Sequence, residues 1–164
     1  MTSAVHHQPR GRDLSDQLES TPWHAEELHV GDYMNLGTVD VSRAEIIAFA
    51  RQFDPLPIHL EDTNPVFGSV VASGVHTLAL FSSLASRMFI PRLALVAGKG
   101  IEKLRLPAPV LPESTLTATV EIVGNTLSDR RADVSYRATL CDDRDRVVLS
   151  FIGITVVARR RAGN

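Results

Sequence analysis

The feature that most restricts the fold is a long apolar segment that follows Gly74 and ends before Pro91. A helix that is apolar around most of its surface is normally buried, so we predict a buried helix over about Val75 to Met88 that the rest of the chain must enclose. Glycine, serine, histidine and arginine interrupt the wider stretch from Val66 to Ile90, which makes it unsuitable as a membrane span. The apolar residues recur at helical spacing, with small polar residues between them: Val75, Leu78, Ala79, Phe81, Leu84, Ala85 and Met88.

The second half of the chain reads as β-strands. From Ser114 to Val123 apolar and polar residues alternate strictly, as on a strand with one buried face. Gly124-Asn125 is predicted to open a turn, and Asp142 to Asp145 to form a hairpin turn. The other strands are predicted over Lys99 to Leu106, Ala132 to Leu140, and Val147 to Val157, the last apolar on both faces like a central strand.

The first half predicts an edge strand followed by a helix. The strand covers about Tyr33 to Val41, and Ser42 and Glu45 form a capping box at the start of a helix that runs to about Gln52. Pro55 then ends this helix. One long helix on a curved antiparallel sheet satisfies the whole order of elements, so the predicted fold class is α+β rather than a doubly wound parallel sheet.

Length and composition favour one globular domain of the soluble type. The chain of 164 residues divides into a flexible arm over 1–22, a domain over 23–158 and a basic tail over 159–164. The net charge of −2 argues against a nucleic-acid partner. The single cysteine, Cys141, excludes an intrachain disulfide and a cysteine-based zinc site. His6 and His7 lie in the arm and are not taken as a metal site, and the N-terminus has no signal-peptide core, so a cytoplasmic location is expected.

The residues with the clearest chemistry are Asp54 and His59. Two prolines stiffen the segment between them, which can hold the two side chains in a fixed relation. A carboxylate and an imidazole that share one water form a general acid–base pair. Taken alone, the same residues also suit a helix-terminal aspartate and a buried, hydrogen-bonded histidine. Gly74 lies at the start of the buried helix, where free amides and the helix dipole favour a developing oxyanion.

Several segments resemble the MaoC-like dehydratases, a family that includes the R-specific enoyl-CoA hydratases. The run FARQFDPLPIHLED resembles the hydratase motif, in which four residues separate an aspartate from a histidine. VASGVHTLALFS resembles the start of the family's central helix, and RLPAPVLPESTLTATVEI and DRVVLSFIGITVV resemble later strands. The likeness covers about Val30 to Val157.

The resemblance implies a hot-dog fold that dimerises, and reversible addition of water to the double bond of a 2-enoyl thioester. Asp54 and His59 would activate the water and exchange the substrate proton, while the Gly74 amide would polarise the thioester carbonyl. Ser82 corresponds to a serine near the catalytic pair of the hydratases and could hold Asp54, although it also suits a packing role. Ser73 and His76 are further candidates for substrate binding, and His76 also suits a structural role. No metal or redox cofactor is implied, and coenzyme A enters only as part of the substrate.

Two alternatives remain open at this stage. The stretch from His59 to Gly74 is about three residues shorter than is common in the family, where it forms a flap over the acyl pocket. This difference motivates a non-catalytic acyl-CoA-binding or assembly subunit. The second alternative is a thioesterase of the same fold, which usually carries an acid on the long helix. The segment from Val75 to Met88 has neither Asp nor Glu, so this alternative is disfavoured.

Overall fold

The computed structural model describes residues 11–15 and 22–160. Three α-helices and five β-strands follow one another in the order β1, α1, α2, α3, β2, β3, β4, β5. One short 3₁₀ turn, Ala25–Glu27, precedes β1, and a second, Ile90–Arg92, lies between α3 and β2. The elements are β1 Tyr33–Val41, α1 Arg43–Phe53, α2 Pro57–Leu60, α3 Gly74–Met88, β2 Leu95–Arg105, β3 Ser114–Leu127, β4 Arg131–Cys141 and β5 Val147–Ala158.

The five strands form one curved antiparallel sheet in the order β1-β3-β4-β5-β2. The meander of β3, β4 and β5 occupies the middle, and the first two strands of the chain lie at the two edges. This arrangement confirms the predicted α+β class and the interior position of β5. The alternation in β3 also holds, since Leu116, Ala118, Val120 and Ile122 are all buried.

The long helix α3 packs on the sheet through its aromatic and aliphatic face. Phe81 meets Phe151 of β5 edge to face, with ring centroids 5.1 Å apart, and it is 1 % exposed. Phe89, just after the helix, meets Tyr136 of β4 in the same way at 5.3 Å. Burial of each such side chain contributes about 1.5–3 kcal/mol.

The predicted helix is confirmed, and Phe81, Leu84 and Ala85 belong to the core. Its burial on all sides is not: Val75 is 60 % exposed and Met88 36 % exposed, so one side of the helix faces solvent.

The predicted turn at Gly124-Asn125 is wrong. The strand β3 continues to Leu127, and the pairing with β4 shifts by a bulge between Ile122 and Gly124. The side-chain amide of Asn125 donates hydrogen bonds of 2.7 and 2.9 Å to the carbonyls of Ala25 and Leu28. Asn125, a residue type common in turns, therefore connects the sheet to the segment before β1 by hydrogen bonds.

Part of the predicted arm is packed against the sheet. Leu14 is 2 % exposed, and its amide donates to the carbonyl of Tyr33 at 2.8 Å. The Arg12 guanidinium pairs with the buried carboxylate of Asp32 at 2.6 Å. Residues 11–15 therefore pack along the beginning of β1, from Tyr33 to Asn35, which corrects the expectation of a flexible arm for this stretch. His6 and His7 lie outside the described residues.

The beginning of the predicted basic tail is also held in place. Arg159 and Arg160 pair with Glu26 and Glu27, each at 2.7 Å. The hydrogen bond from Arg159 lowers the pKa of Glu26 to about 2. In residues 11–15 and 22–160, no helix combines the length and the apolar character needed to cross a membrane.

Candidate active site

Asp54 is placed by the end of helix α1. Its amide donates to the Ala50 carbonyl at 2.9 Å and closes the last helical turn. Its backbone angles of −154° and 68° lie outside the helical region, as expected for a residue that precedes proline. The capping box at Ser42 and Glu45, as predicted, fixes the other end of the helix. Helix α1 thus presents the Asp54 carboxylate at its C-terminal end.

His59 lies on α2, a single helical turn that the sequence did not predict. Pro57 occupies its first turn, where a proline is well tolerated. The imidazole is buried, and its Nδ1 lies 2.7 Å from the Val71 carbonyl oxygen. Because a carbonyl can only accept, Nδ1 carries the hydrogen in this bond. The neutral ring therefore has its lone pair on Nε2.

The two side chains predicted to act together do converge. His59 Nε2 lies 3.5 Å from Asp54 Oδ2, which is too long for a strong direct hydrogen bond. The side chain of His59 is 10 % exposed and that of Asp54 is 30 % exposed. The largely buried imidazole of His59 therefore faces the Asp54 carboxylate, which solvent can reach. A pair that adds or removes water as general acid and base must be accessible to a water molecule.

The hydroxyl that holds Asp54 belongs to Ser73. Ser73 Oγ donates to Asp54 Oδ2 at 2.6 Å and accepts from the Val75 amide at 3.3 Å, as the N-cap of α3. The resemblance suggests Ser82 for the hydrogen bond to Asp54, and the structure places Ser73 there instead. The sequence signal for Ser73 is its position directly before α3, because serine is a favoured N-cap residue and an N-cap hydroxyl lies at the start of the helix.

Gly74 is the first residue of α3, as expected for the suggested oxyanion donor. Helices leave their first amides without internal partners, and the dipole of this 15-residue helix favours negative charge there. A Cβ at Gly74 would lie 2.5 Å from Leu106 Cδ1. Glycine therefore permits the close approach of the segment that follows β2.

His76 contacts helix α1. Its ring stacks on Phe49, with centroids 4.5 Å apart and planes 7° from parallel. The ring is buried, and its Nδ1 has no hydrogen-bond partner among the described residues. Burial lowers the pKa of His76 below its ordinary value, although Glu45 acts in the opposite direction. The observed contacts support a packing role between α3 and α1.

We expect the His76→Phe variant to lose less stability in acid than the wild type. Because burial lowers the pKa of His76, the folded protein keeps the ring neutral where the unfolded chain binds a proton. This neutral ring favours folding above the ordinary pKa of 6.5, and the advantage is lost as the pH falls below that value. Phenylalanine keeps the stack on Phe49 but does not titrate. Urea unfolding at pH 7.5 and 5.5 measures the difference, and an equal loss in both proteins would contradict it.

An apolar cavity lies beside α3, further along the helix from Gly74. Its volume is about 600 Å³, within the range of small-molecule sites. Leu78, Ser82 and Ala85 follow Gly74 by four, eight and eleven residues, so all three lie on the same broad side of the helix as Gly74. Ser82 is thus a residue of the cavity wall. The other walls come from β2, β4 and β5 and include Gly100, Ile101, Tyr136, Phe151 and Ile154.

The fold and the site together define a class of protein. A single long helix enclosed by a curved antiparallel sheet is a hot-dog domain, and this domain carries a carboxylate–imidazole pair near the start of its helix. Within the described residues, no group of three or more His, Cys, Asp or Glu is placed to hold a metal ion.

Residues 28–142 match the family model described as "MaoC like domain", and the chain belongs to that family. The MaoC-like dehydratase from Rhodospirillum rubrum is 34 % identical, with a TM-score of 0.77 over 84 % of this chain and 98 % of that one. The R-hydratase PhaJ1 from Pseudomonas aeruginosa shares the fold at 22 % identity, with a TM-score of 0.67 over 84 % and 86 % of the two chains. The uncharacterized protein YdeM from Bacillus subtilis (strain 168) is 27 % identical over 101 residues, which is 60 % of this chain and 72 % of that protein.

Proposed function

We propose that this protein is a lyase that adds water to, or removes it from, the 2,3 double bond of an enoyl thioester. The observation that carries the proposal is the 3.5 Å approach of His59 Nε2 to Asp54 Oδ2, with Nδ1 committed to the Val71 carbonyl. Membership of the MaoC-like family supports dehydratase chemistry at a general level. The enoyl thioester, the R product and the role of each residue are part of the proposal.

In the hydration direction, His59 Nε2 accepts a proton from water while the water oxygen bonds to C3. The Asp54 carboxylate accepts a hydrogen bond from the same water and orients it. The electron pair of the double bond moves towards the thioester carbonyl, whose oxygen lies at the Gly74 amide. The proton then passes from His59 to C2, which balances the addition and restores the enzyme. No step requires a metal or a redox cofactor.

The cavity beside α3 is the proposed site for the acyl chain. It begins at Leu78, one turn beyond Gly74, and its far end includes Ile90 and Leu95. A thioester carbonyl at Gly74 would allow the chain to run along the helix away from the catalytic pair. The apolar walls suit a hydrocarbon chain, because removal of its surface from water is favourable.

Turnover of enoyl-CoA thioesters tests the function directly. We expect loss of the conjugated enoyl absorbance across a series of straight-chain substrates, and chiral analysis should find the R-3-hydroxyacyl product. No turnover with any chain length would contradict the proposal. Release of free thiol instead of hydration would favour a thioesterase.

The partner we propose for the edge strand β2 is a second copy of the chain. Residues 11–15 pair with the beginning of β1, and among the described residues β2 pairs only with β5. All eleven residues of β2 are exposed, including Val96 at 56 % and Leu104 at 38 %. An exposed apolar edge invites pairing, and two identical strands can pair antiparallel about a two-fold axis. A homodimer follows, while the cytoplasmic location remains an expectation.

The double variant Val96→Asp/Leu104→Asp should shift the protein from dimer to monomer. Carboxylates that face one another across a two-fold pairing repel and lose hydration. Light scattering after size-exclusion chromatography over a range of concentrations measures the change. Leu127→Asp is the matched control, because Leu127 is 50 % exposed but lies on β3. A wild-type monomer, or equal dissociation of the control, would refute pairing through β2.

A further inference from the structure

We propose that Ser73 is a positioning residue that fixes the catalytic carboxylate relative to the oxyanion donor. This inference rests on the proposed function and assigns to Ser73 a role different from the substrate contact that the sequence suggested. Its basis is that one buried hydroxyl makes two hydrogen bonds, one to Asp54 and one to the first turn of α3.

The bond to Asp54 is short and charge-assisted. Ser73 Oγ lies 2.6 Å from Asp54 Oδ2, within the range of about 2.5–2.7 Å for a hydroxyl that donates to a carboxylate. Ser73 is 1 % exposed, so water does not replace this partner easily. A serine hydroxyl has a single hydrogen, and because Asp54 receives it, the oxygen remains an acceptor for the Val75 amide.

This bond selects one orientation of the carboxylate. Asp54 lies beyond the last turn of α1, and its side chain is 30 % exposed. Among the described residues, Ser73 supplies the hydroxyl that the Asp54 side chain accepts from. Oδ2 is thereby held both at Ser73 and 3.5 Å from His59 Nε2. Without the hydroxyl, rotation about the side-chain bonds would move the carboxylate out of line with His59.

The second bond connects this orientation to the helix start. As the N-cap of α3, Ser73 immediately precedes Gly74, and its carbonyl accepts from the Thr77 amide at 2.9 Å and from the Thr77 hydroxyl at 3.2 Å. These two hydrogen bonds hold the backbone of Ser73 at the start of α3. Because the hydroxyl of the same residue binds Asp54, it sets the distance between the carboxylate and the Gly74 amide. Both groups must act on one substrate, so their spacing affects the rate.

The test compares Ser73→Ala, Ser73→Thr and a cap control, Ser42→Ala. Ser42 is the N-cap of α1 and accepts from the Glu45 amide at 3.2 Å. The Ser42→Ala variant loses an N-cap of the same type but keeps the hydrogen bond from the Ser73 hydroxyl to Asp54. We expect Ser73→Ala to lower kcat for enoyl-CoA hydration by about 10- to 100-fold with little change in KM. Ser73→Thr should restore most of kcat. Ser42→Ala should keep kcat while its Tm falls by a similar amount.

A double mutant tests whether the loss of kcat in Ser73→Ala arises through Asp54. If Ser73 acts through Asp54, then Ser73→Ala adds no further loss in an Asp54→Asn background, measured with excess enzyme in a single turnover. Additive losses, a wild-type kcat in Ser73→Ala, or an equal loss of kcat in Ser42→Ala would each overturn the inference. If the wild type hydrates no enoyl thioester, the proposed function and this inference both fail. An active wild type whose Ser73→Ala variant has an unchanged kcat removes this inference alone.

Discussion

Replacement of Asp54 by Asn, or of His59 by Asn, is expected to lower kcat for enoyl-CoA hydration by about 100-fold or more. General acid–base groups contribute on this scale, and each change removes one of them. Asn at position 54 retains the shape of the side chain but not its negative charge. Asn at position 59 retains an N–H that can reach the Val71 carbonyl, as Nδ1 does now at 2.7 Å, but it lacks the base at Nε2. Steady-state kinetics with a purified enoyl-CoA measures both losses.

The choice of Asn over Ala at position 59 separates catalysis from folding. His59→Ala would leave the buried Val71 carbonyl without its partner, at a cost of about 1–3 kcal/mol. We therefore expect the Tm of His59→Asn to exceed that of His59→Ala while both have little activity. His29→Ala provides a histidine control, because the His29 side chain is 64 % exposed. If both Asn variants hydrate substrate at the wild-type rate, the assignment of catalysis to Asp54 and His59 is wrong.

The sequence was informative wherever a structural signal is local. The Ser42–Glu45 capping box, the alternation in β3 and the apolar surface of α3 each report on residues a few positions apart, and each corresponds to an observed element. Asp54 and His59 are also close in sequence, so their convergence across two prolines could be expected.

Long-range contacts explain where the sequence prediction was incomplete. Asn125 reads as a turn residue because its partners, the carbonyls of Ala25 and Leu28, lie about 100 positions away. The partner of Asp54 is 19 residues away, and Ser73 and Ser82 are indistinguishable as hydroxyl donors until the fold places one of them at the carboxylate. The same reasoning applies to Leu14, whose packing on β1 depends on the edge that it covers.

The acyl-chain limit should change in a graded way when the cavity wall is filled. Ser82 and Ser86 both line the cavity, eight and twelve residues beyond Gly74. At about 1.5 Å per residue they lie about 12 and 18 Å along the helix. We expect Ser82→Leu to exclude chains that Ser86→Leu still accepts, and kcat/KM for the first excluded length to fall by about 10- to 200-fold, the discrimination a hydrophobic pocket can achieve.

The control for this series is Ala79→Leu, a matched addition of bulk on an exposed position of α3 that does not line the cavity. The kcat/KM profile against chain length should be the same in this variant and in the wild type. Short substrates should keep their kcat in all three variants, because a short acyl chain would not extend along α3 as far as Ser82. A uniform loss at every length would indicate damage to the fold. An unchanged length profile in both serine variants would mean that the acyl chain lies elsewhere, since a chain along α3 has to pass Ser82 before it reaches Ser86.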